Sequence, residues 1–155
     1  MKADLHAIAG PDAEGTILDA PPLIPAGSYR VRVLDWSTCR MFGRQPKVLI
    51  RCQVCDLGNH FGVQLFRYYN ARRVGRLGRN GTFSAGWSSD LVREHARLVG
   101  WPVRCDRLTL SRYKKLVLLA EVVTVEKTRS QEALPTCTQY SVIRRFLRVE
   151  AGVVT

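Results

Sequence analysis

The chain has 155 residues, five cysteines and a formal net charge of +11, so we expect one domain that folds without a metal or a disulfide. Its longest apolar run, 116–120, is far shorter than the roughly 20 residues that cross a bilayer. Residues 1–15 lack the apolar stretch of a secretory signal. These features argue against a membrane protein, and an odd number of cysteines without a signal predicts reduced thiols in the cytoplasm.

The first 22 residues differ in character from the rest of the chain. They lack sustained apolar periodicity, end in two prolines and are rich in acid, with a net charge of −3 over residues 1–20. Such a segment cannot bury enough apolar surface to fold. We therefore predict a flexible acidic arm at 1–22, one domain at 23–150 and a short tail at 151–155.

Three strands are predicted next. After a Pro-Ala-Gly turn, apolar residues alternate with arginines up to Trp36, which is typical of a strand with one buried face. Residues 37–46 interrupt the alternation with glycine and proline. A second alternating run at 47–55 and a third at 61–70 follow, joined by an Asp-Leu-Gly-Asn turn.

A helix and two more strands complete the predicted elements. Ser88 or Ser89 can cap the start of a helix, and Gly100 provides the usual chemistry of a helix end. Two apolar runs, at 116–125 and 140–149, are predicted as the fourth and fifth strands. We find no internal repeat.

The order of these elements suggests a fold. Three strands, one helix and two strands are the order of the oligonucleotide-binding (OB) barrel, a five-stranded Greek key with a helix between its third and fourth strands. Other α+β sheets can share this order. We predict a mainly β, OB-like barrel with one helix and a flexible arm.

The charge of the chain favours a nucleic-acid partner. Residues 21–155 carry a net charge of +14, and 19 of the 24 cations in the whole chain are arginines. Arginine forms bidentate bonds to phosphate and stacks on flat rings. The alternative is a genome whose base composition favours arginine codons.

A binding face follows from the predicted barrel. In such barrels, the outer surface of strands 2 and 3 and two flanking loops bind oligonucleotides. Cations follow phosphates and rings stack on bases, although each ring could instead pack in the core if the strand faces were exchanged. The candidate residues are Arg30, Arg32, Trp36, Arg40, Phe42, Arg44, Lys47, Arg51, Gln64, Phe66, Tyr68, Lys127 and Arg129.

The segment 67–83 is the most basic stretch beside this face. It contains five arginines, three glycines and no acid. The glycines allow the backbone to approach phosphates closely. We predict a mobile loop that clamps nucleic acid through Arg72, Arg73, Arg76 and Arg79; a solvated basic hairpin without a partner is the alternative.

Catalytic and metal-binding patterns are weak. Cys52 and Cys55 would point to opposite faces of a strand and could not chelate one metal together. The carboxylates lie singly, and no nucleotide-fold or nucleophile motif is present. We predict no catalytic residues, no metal, no cofactor and no enzymatic activity.

Residues 23–149 contain four segments with a recognisable pattern: a P-x-G-x-Y opening strand (Pro25, Gly27, Tyr29), a D-x-G-x-x-x-G hairpin (Gly58, Gly62), a helix ending in L-x-G, and a closing strand. Together they resemble a family of small proteins from bacteriophages and integrating conjugative elements. The resemblance implies binding of single-stranded DNA in replication or recombination, in a bacterial host cell and in association with its nucleoid.

Two classes of partner remain open. The first is single-stranded DNA or RNA, together with replication or recombination proteins. The second makes the chain a protein-binding module of a mobile element, either an inhibitor that docks on a host-defence complex or a replisome adaptor. No membrane partner is expected, and a homo-oligomer is one option for the assembly.

Overall fold

The computed structural model describes residues 22–41, 44–106, 108–127, 131–134 and 139–152, so the predicted arm lies almost entirely outside the described residues. Their strands are β1 (Gly27–Met41), β2 (Gln45–Val54), β3 (Gln64–Asn70), β4 (Arg73–Val74), β5 (Gly78–Arg79), β6 (Phe83–Ser84), β7 (Leu116–Val125) and β8 (Tyr140–Gly152). The helix α1 spans Asp90–Val99, and a 3-10 helix spans Ser111–Lys115.

The long strands form one antiparallel sheet in the order β3-β2-β1-β7-β8. One edge of β1 is shared, because β7 pairs with residues 27–32 and β5 pairs with Ser37 and Thr38. The predicted mainly β class with one α-helix is confirmed, and three short strands, β4, β5 and β6, stand between the third long strand and the helix. The sheet is not closed, since no backbone pairing joins β3 to β8 within the described residues.

The core lies against the inner face of the curved sheet. Within the run 47–55, which the sequence predicted as an alternating strand, Val48, Ile50, Cys52 and Val54 face inward along β2, and all four are buried. Phe146 of β8 lies in the same cluster. Burying several such side chains at about 25 cal/mol per Å² of apolar area is the main source of stability.

Strand β1 departs from its predicted course. It continues through Met41 instead of ending near Trp36, because residues 37–41 pair with β2. A β-bulge between Val33 and Asp35 places one extra residue in β1, and this reverses the alternation of side chains beyond it. The prediction that Trp36 faces outward for stacking is therefore wrong, since its side chain is buried with 6% exposed.

The helix begins and ends as predicted. The Ser89 hydroxyl accepts a hydrogen bond from the Val92 N–H at 3.3 Å, and Gly100, with φ of 98°, ends the last turn with its N–H donating to Ala96. The buried His95 ring stacks on Tyr113, with 5.8 Å between ring centroids. No helix of the described residues is long and apolar enough to cross a bilayer.

Helix α1 spans the open seam, where β8 passes close to β3. The buried Glu94 carboxylate accepts hydrogen bonds from the Arg67 guanidinium at 2.5 Å, the Tyr69 hydroxyl at 2.9 Å and the Phe146 N–H at 2.9 Å. Arg97 donates to the Phe146 carbonyl. Side chains of one helix therefore join both edges of the sheet. Strand β8 itself continues to Gly152, into the predicted tail.

Candidate nucleic-acid interface

The outer face of the sheet collects six of the predicted site residues. Directly opposed residues of antiparallel strands share a face, and three rows run across β1, β2 and β3. These rows are Arg32–Gln53–Gln64, Asp35–Arg51–Phe66 and Ser37–Leu49–Tyr68, with Lys47 beside Asn70 below them. We call these residues the outer face; within it the side chains of Asp35, Ser37 and Leu49 are buried, whereas Arg32 is exposed.

Strand β5 adds a further arginine to this face. Arg79 lies opposite Ser37 and so continues the row that ends at Tyr68. Its Nε also lies 3.4 Å from the carboxylate of Asp35. The segment 67–83, which the sequence placed beside the face, therefore contributes directly to it.

Several basic side chains of this region form ion pairs or hydrogen bonds with acidic or amide side chains. Arg51 forms a bidentate pair with Asp35, at 2.6 and 3.2 Å, so this carboxylate contacts two arginines, Arg51 and Arg79. The exposed Arg30 pairs with Asp56 at 2.6 Å, and this hydrogen bond lowers the pKa of the Asp56 carboxyl. Lys47 donates to the Asn70 side chain. The face is thus basic but more internally paired than the sequence suggested.

The rings on the outer face are only partly exposed. The Phe66 and Tyr68 ring centroids are 6.2 Å apart, and both side chains are half-buried. Burial raises the pKa of the Tyr68 phenol well above its usual value, so this group stays neutral. The buried Trp36 instead donates its Nε1–H to the Gly81 carbonyl at 3.2 Å. Any stacking on this face therefore involves Phe66 and Tyr68.

The segment 67–83 is folded against β1, in place of the mobile loop that the sequence predicted. The Thr38 hydroxyl donates to the Arg76 carbonyl at 2.7 Å, and the Asn80 N–H donates to the Trp36 carbonyl at 2.9 Å. A Cβ on Gly81 would lie 2.0 Å from the Thr38 hydroxyl oxygen, so only glycine fits there. The glycines thus allow close packing on the domain's own backbone.

The four arginines of the predicted clamp point to different surroundings. Arg79 joins the outer face, and Arg76 donates to the Asn80 carbonyl at 2.7 Å. Arg72 and Arg73 are exposed and have no acidic partner among the described residues. They line a second concave surface whose lining does not include Arg76 or Arg79, so the segment does not present one continuous clamp.

This second surface, which we call the tryptophan groove, was missed by the sequence analysis. It has a volume of about 930 Å³, and its lining includes Arg72, Arg73, Trp87, Val103, Arg104 and Asp106. Trp87 is 56% exposed and Trp101 is 66% exposed, with 6.3 Å between their ring centroids. Two large rings in contact and open to solvent are unusual on a protein surface.

The backbone after α1 explains why the two tryptophans meet. After α1 the chain returns alongside β6, where the Ala85 N–H donates to the Cys105 carbonyl at 2.9 Å and the Leu108 N–H donates to the Phe83 carbonyl at 3.3 Å. Trp87 and Trp101 precede and follow the helix directly in sequence. That flanking position, beside basic segments, was the one signal that could have indicated the groove.

The remaining predicted residues lie at the ends of strands. Arg40 is exposed near the end of β1, Arg44 lies in the turn before β2, and Lys127 is exposed after β7. Phe42 and Arg129 lie outside the described residues. Among the described residues, no hydrogen bond or ion pair joins Arg40, Arg44 or Lys127 to the rows of the outer face.

The four described cysteines are free thiols. They are Cys39, Cys52, Cys55 and Cys105, and desolvation raises the pKa of each thiol. Within the described residues, no group of three or more histidine, cysteine or acidic side chains could hold a metal ion. Cys137 lies outside them.

Comparison of the chain with family models, with curated proteins and with solved structures finds no match.

Proposed function

We propose that this protein binds single-stranded nucleic acid, most naturally DNA, across the outer face of its sheet. One observation carries the proposal: strand register places Arg32, Arg51, Arg79, Phe66 and Tyr68 on one surface. Cations that follow a phosphate backbone, interleaved with rings that stack on bases, are what single-strand binding requires.

The strand order supports an OB-like assignment. Five long strands in the order β3-β2-β1-β7-β8, with α1 inserted after β3, match an OB barrel whose seam between β3 and β8 stays open. In that architecture, the second and third strands present the binding face. The proposed site occupies those two strands, together with the adjoining part of β1.

The ion pairs of the face define how a strand would bind. The Asp35 carboxylate contacts both Arg51 and Arg79, so two positive charges meet one negative charge and the group keeps a net charge of +1. Asp35 positions both guanidinium groups, and unused N–H donors of the exposed Arg79 can reach a phosphate. Arg32, bonded only weakly to Gln53 at 3.3 Å, adds a second cation.

Duplex should bind less well than single strand, because paired bases cannot stack on Phe66. The test is fluorescence anisotropy with a labelled thymidine oligonucleotide of about 16 nucleotides and a duplex of equal length, measured at several salt concentrations. Phe66→Ala should weaken single-strand binding without changing its salt dependence. Arg32→Gln should flatten the slope of log K against log salt by about 0.7.

Arg112→Gln is the matched control for Arg32→Gln, because Arg112 is exposed on the 3-10 helix and its loss changes the net charge equally. The proposal would be refuted by equal affinity for duplex and single strand, or by the absence of binding to either at low salt. Either result would favour a protein-binding module of a mobile element. A role in phage or element replication or recombination is part of the same proposal.

A further inference from the structure

The tryptophan groove combines the two chemistries that a nucleotide presents. Trp87 lines the groove and supplies flat apolar surface together with Trp101, whose ring it contacts, and Arg72 and Arg73 supply guanidinium groups in the same lining. Its volume of about 930 Å³ lies within the roughly 300–1,000 Å³ of ligand sites in proteins. The outer face does not include these residues.

We propose that the groove binds one unstacked nucleotide of a single strand, with its base on the Trp87–Trp101 pair and its flanking phosphates on Arg72 and Arg73. This inference rests on the proposed function, because the strand is the source of the nucleotide. It adds a second contact point that anchors the strand beyond the sheet.

The charge balance of the groove favours a phosphate. Among its described lining residues are three arginines and one aspartate, a net charge of +2. Asp106 is bonded to Arg104 through two contacts, at 2.6 and 3.0 Å, so Arg104 is largely neutralised. Arg72 and Arg73, which have no acidic partner among the described residues, carry the remaining charge.

The two rings offer flat surface on which a base can stack. The centroids are 6.3 Å apart and the ring planes are inclined by 47°. Stacked bases are separated by about 3.4 Å, so a base inserted between the two tryptophan rings requires ring planes about 7 Å apart. A small rotation of these exposed side chains would give that separation. A base stacked on the outer side of either ring needs no rearrangement.

The position of Arg73 fixes how phosphate and base are arranged. Arg73 lies opposite Ser84 in the β4–β6 ribbon, while the neighbouring pair, Val74 and Phe83, is buried. The ribbon therefore directs Arg73 into the groove and away from the core. Because Trp87 follows Ser84 by only three residues, the phosphate and base contacts belong to one local structure.

The test compares two probes that share a backbone. One is a thymidine oligonucleotide of about 16 nucleotides, and the other is an abasic oligonucleotide of the same length. Trp87→Ala with Trp101→Ala should weaken binding of the thymidine probe roughly 5- to 150-fold, the equivalent of one stacked base. Binding of the abasic probe should not change.

The double variant Arg72→Gln/Arg73→Gln should bind both probes more weakly. It should also flatten the slope of log K against log salt by about 1.4. Arg93→Gln with Arg144→Gln is the matched control, because both arginines are exposed on another surface and the charge lost is the same. Trp87→Phe with Trp101→Phe keeps flat rings and should recover most of the affinity, which separates lost stacking from misfolding.

Each outcome decides between the proposals. If the wild-type protein binds thymidine strands and the tryptophan-to-alanine variant binds them equally well, this inference is refuted and the proposed function stands. Equal weakening of thymidine and abasic probes would also refute base stacking. If the wild-type protein binds neither probe, the proposed function fails and the inference fails with it.

Discussion

Replacing the buried Glu94 with glutamine should destabilise the domain by about 3 kcal/mol, because it leaves a cation unpaired at the seam. Arg67, whose side chain is 12% exposed, loses its only described carboxylate partner. Removing one member of a buried ion pair costs about 3–5 kcal/mol. The lower end applies here because Arg67 keeps its hydrogen bond to the Tyr68 carbonyl, at 2.7 Å, and its position 4.0 Å above the Tyr69 ring.

The substituted amide creates a second conflict. Glu94 accepts from the Tyr69 hydroxyl and the Phe146 N–H through one oxygen and from Arg67 through the other. A glutamine offers one oxygen and one NH₂ group, so at least one donor must face another donor. Urea denaturation followed by circular dichroism measures the loss, which corresponds to a midpoint about 1.5 M lower for an m-value of about 2 kcal/mol per M.

Glu121→Gln is the matched control, since Glu121 forms a 2.7 Å pair with Arg145 in a more exposed position. Such pairs contribute about 0–1 kcal/mol. Adding Arg67→Met to Glu94→Gln should recover much of the stability, because the unpaired cation is then gone. Equal losses for Glu94→Gln and Glu121→Gln would refute the reasoning.

Three further predictions concern local structure. Burial lowers the pKa of His95 below 6.5, so the unfolded chain binds its proton first. Stability should therefore fall as the pH drops below about 6.5, by at most about 1.4 kcal/mol per pH unit, and urea titrations of His95→Gln should show a flatter dependence. Gly81→Ala should lower the melting temperature strongly, because its Cβ would overlap the Thr38 hydroxyl, whereas Gly86→Ala meets nothing within 4 Å and should be nearly neutral. In native protein, a thiol reagent should modify the half-buried Cys55 before Cys52, and elemental analysis should find no zinc; about one zinc per chain would contradict the prediction of free thiols.

Local patterns predicted much of the fold. Alternation along β2 identified its buried face, and Ser89 and Gly100 gave the limits of the helix, because these signals depend on neighbours within one or two turns. The face that carries Phe66 and Tyr68 followed from the same alternation in β3.

Features that depend on distant contacts were not predictable. The bulge in β1 adds one residue that no alternation pattern reveals, and it moved Trp36 into the core. Residues 37–41 read as a loop because they lack an apolar alternation, but β2 and the segment 67–83 cover them. The contact between Trp87 and Trp101 requires the chain to return beside β6, and the position of both rings next to the helix ends does not by itself specify that return.

The seam between β3 and β8 bears on self-association. Free N–H and C=O groups along a strand edge can recruit a strand from another molecule. At Phe146 both groups are occupied by side chains of α1, the N–H by Glu94 and the C=O by Arg97. At Phe146, the helix therefore blocks the edge of β8, a strand of 13 residues. Local opening of α1 would uncover two strand edges at once, so conditions that loosen this helix should promote intermolecular strand pairing before the sheet itself unfolds.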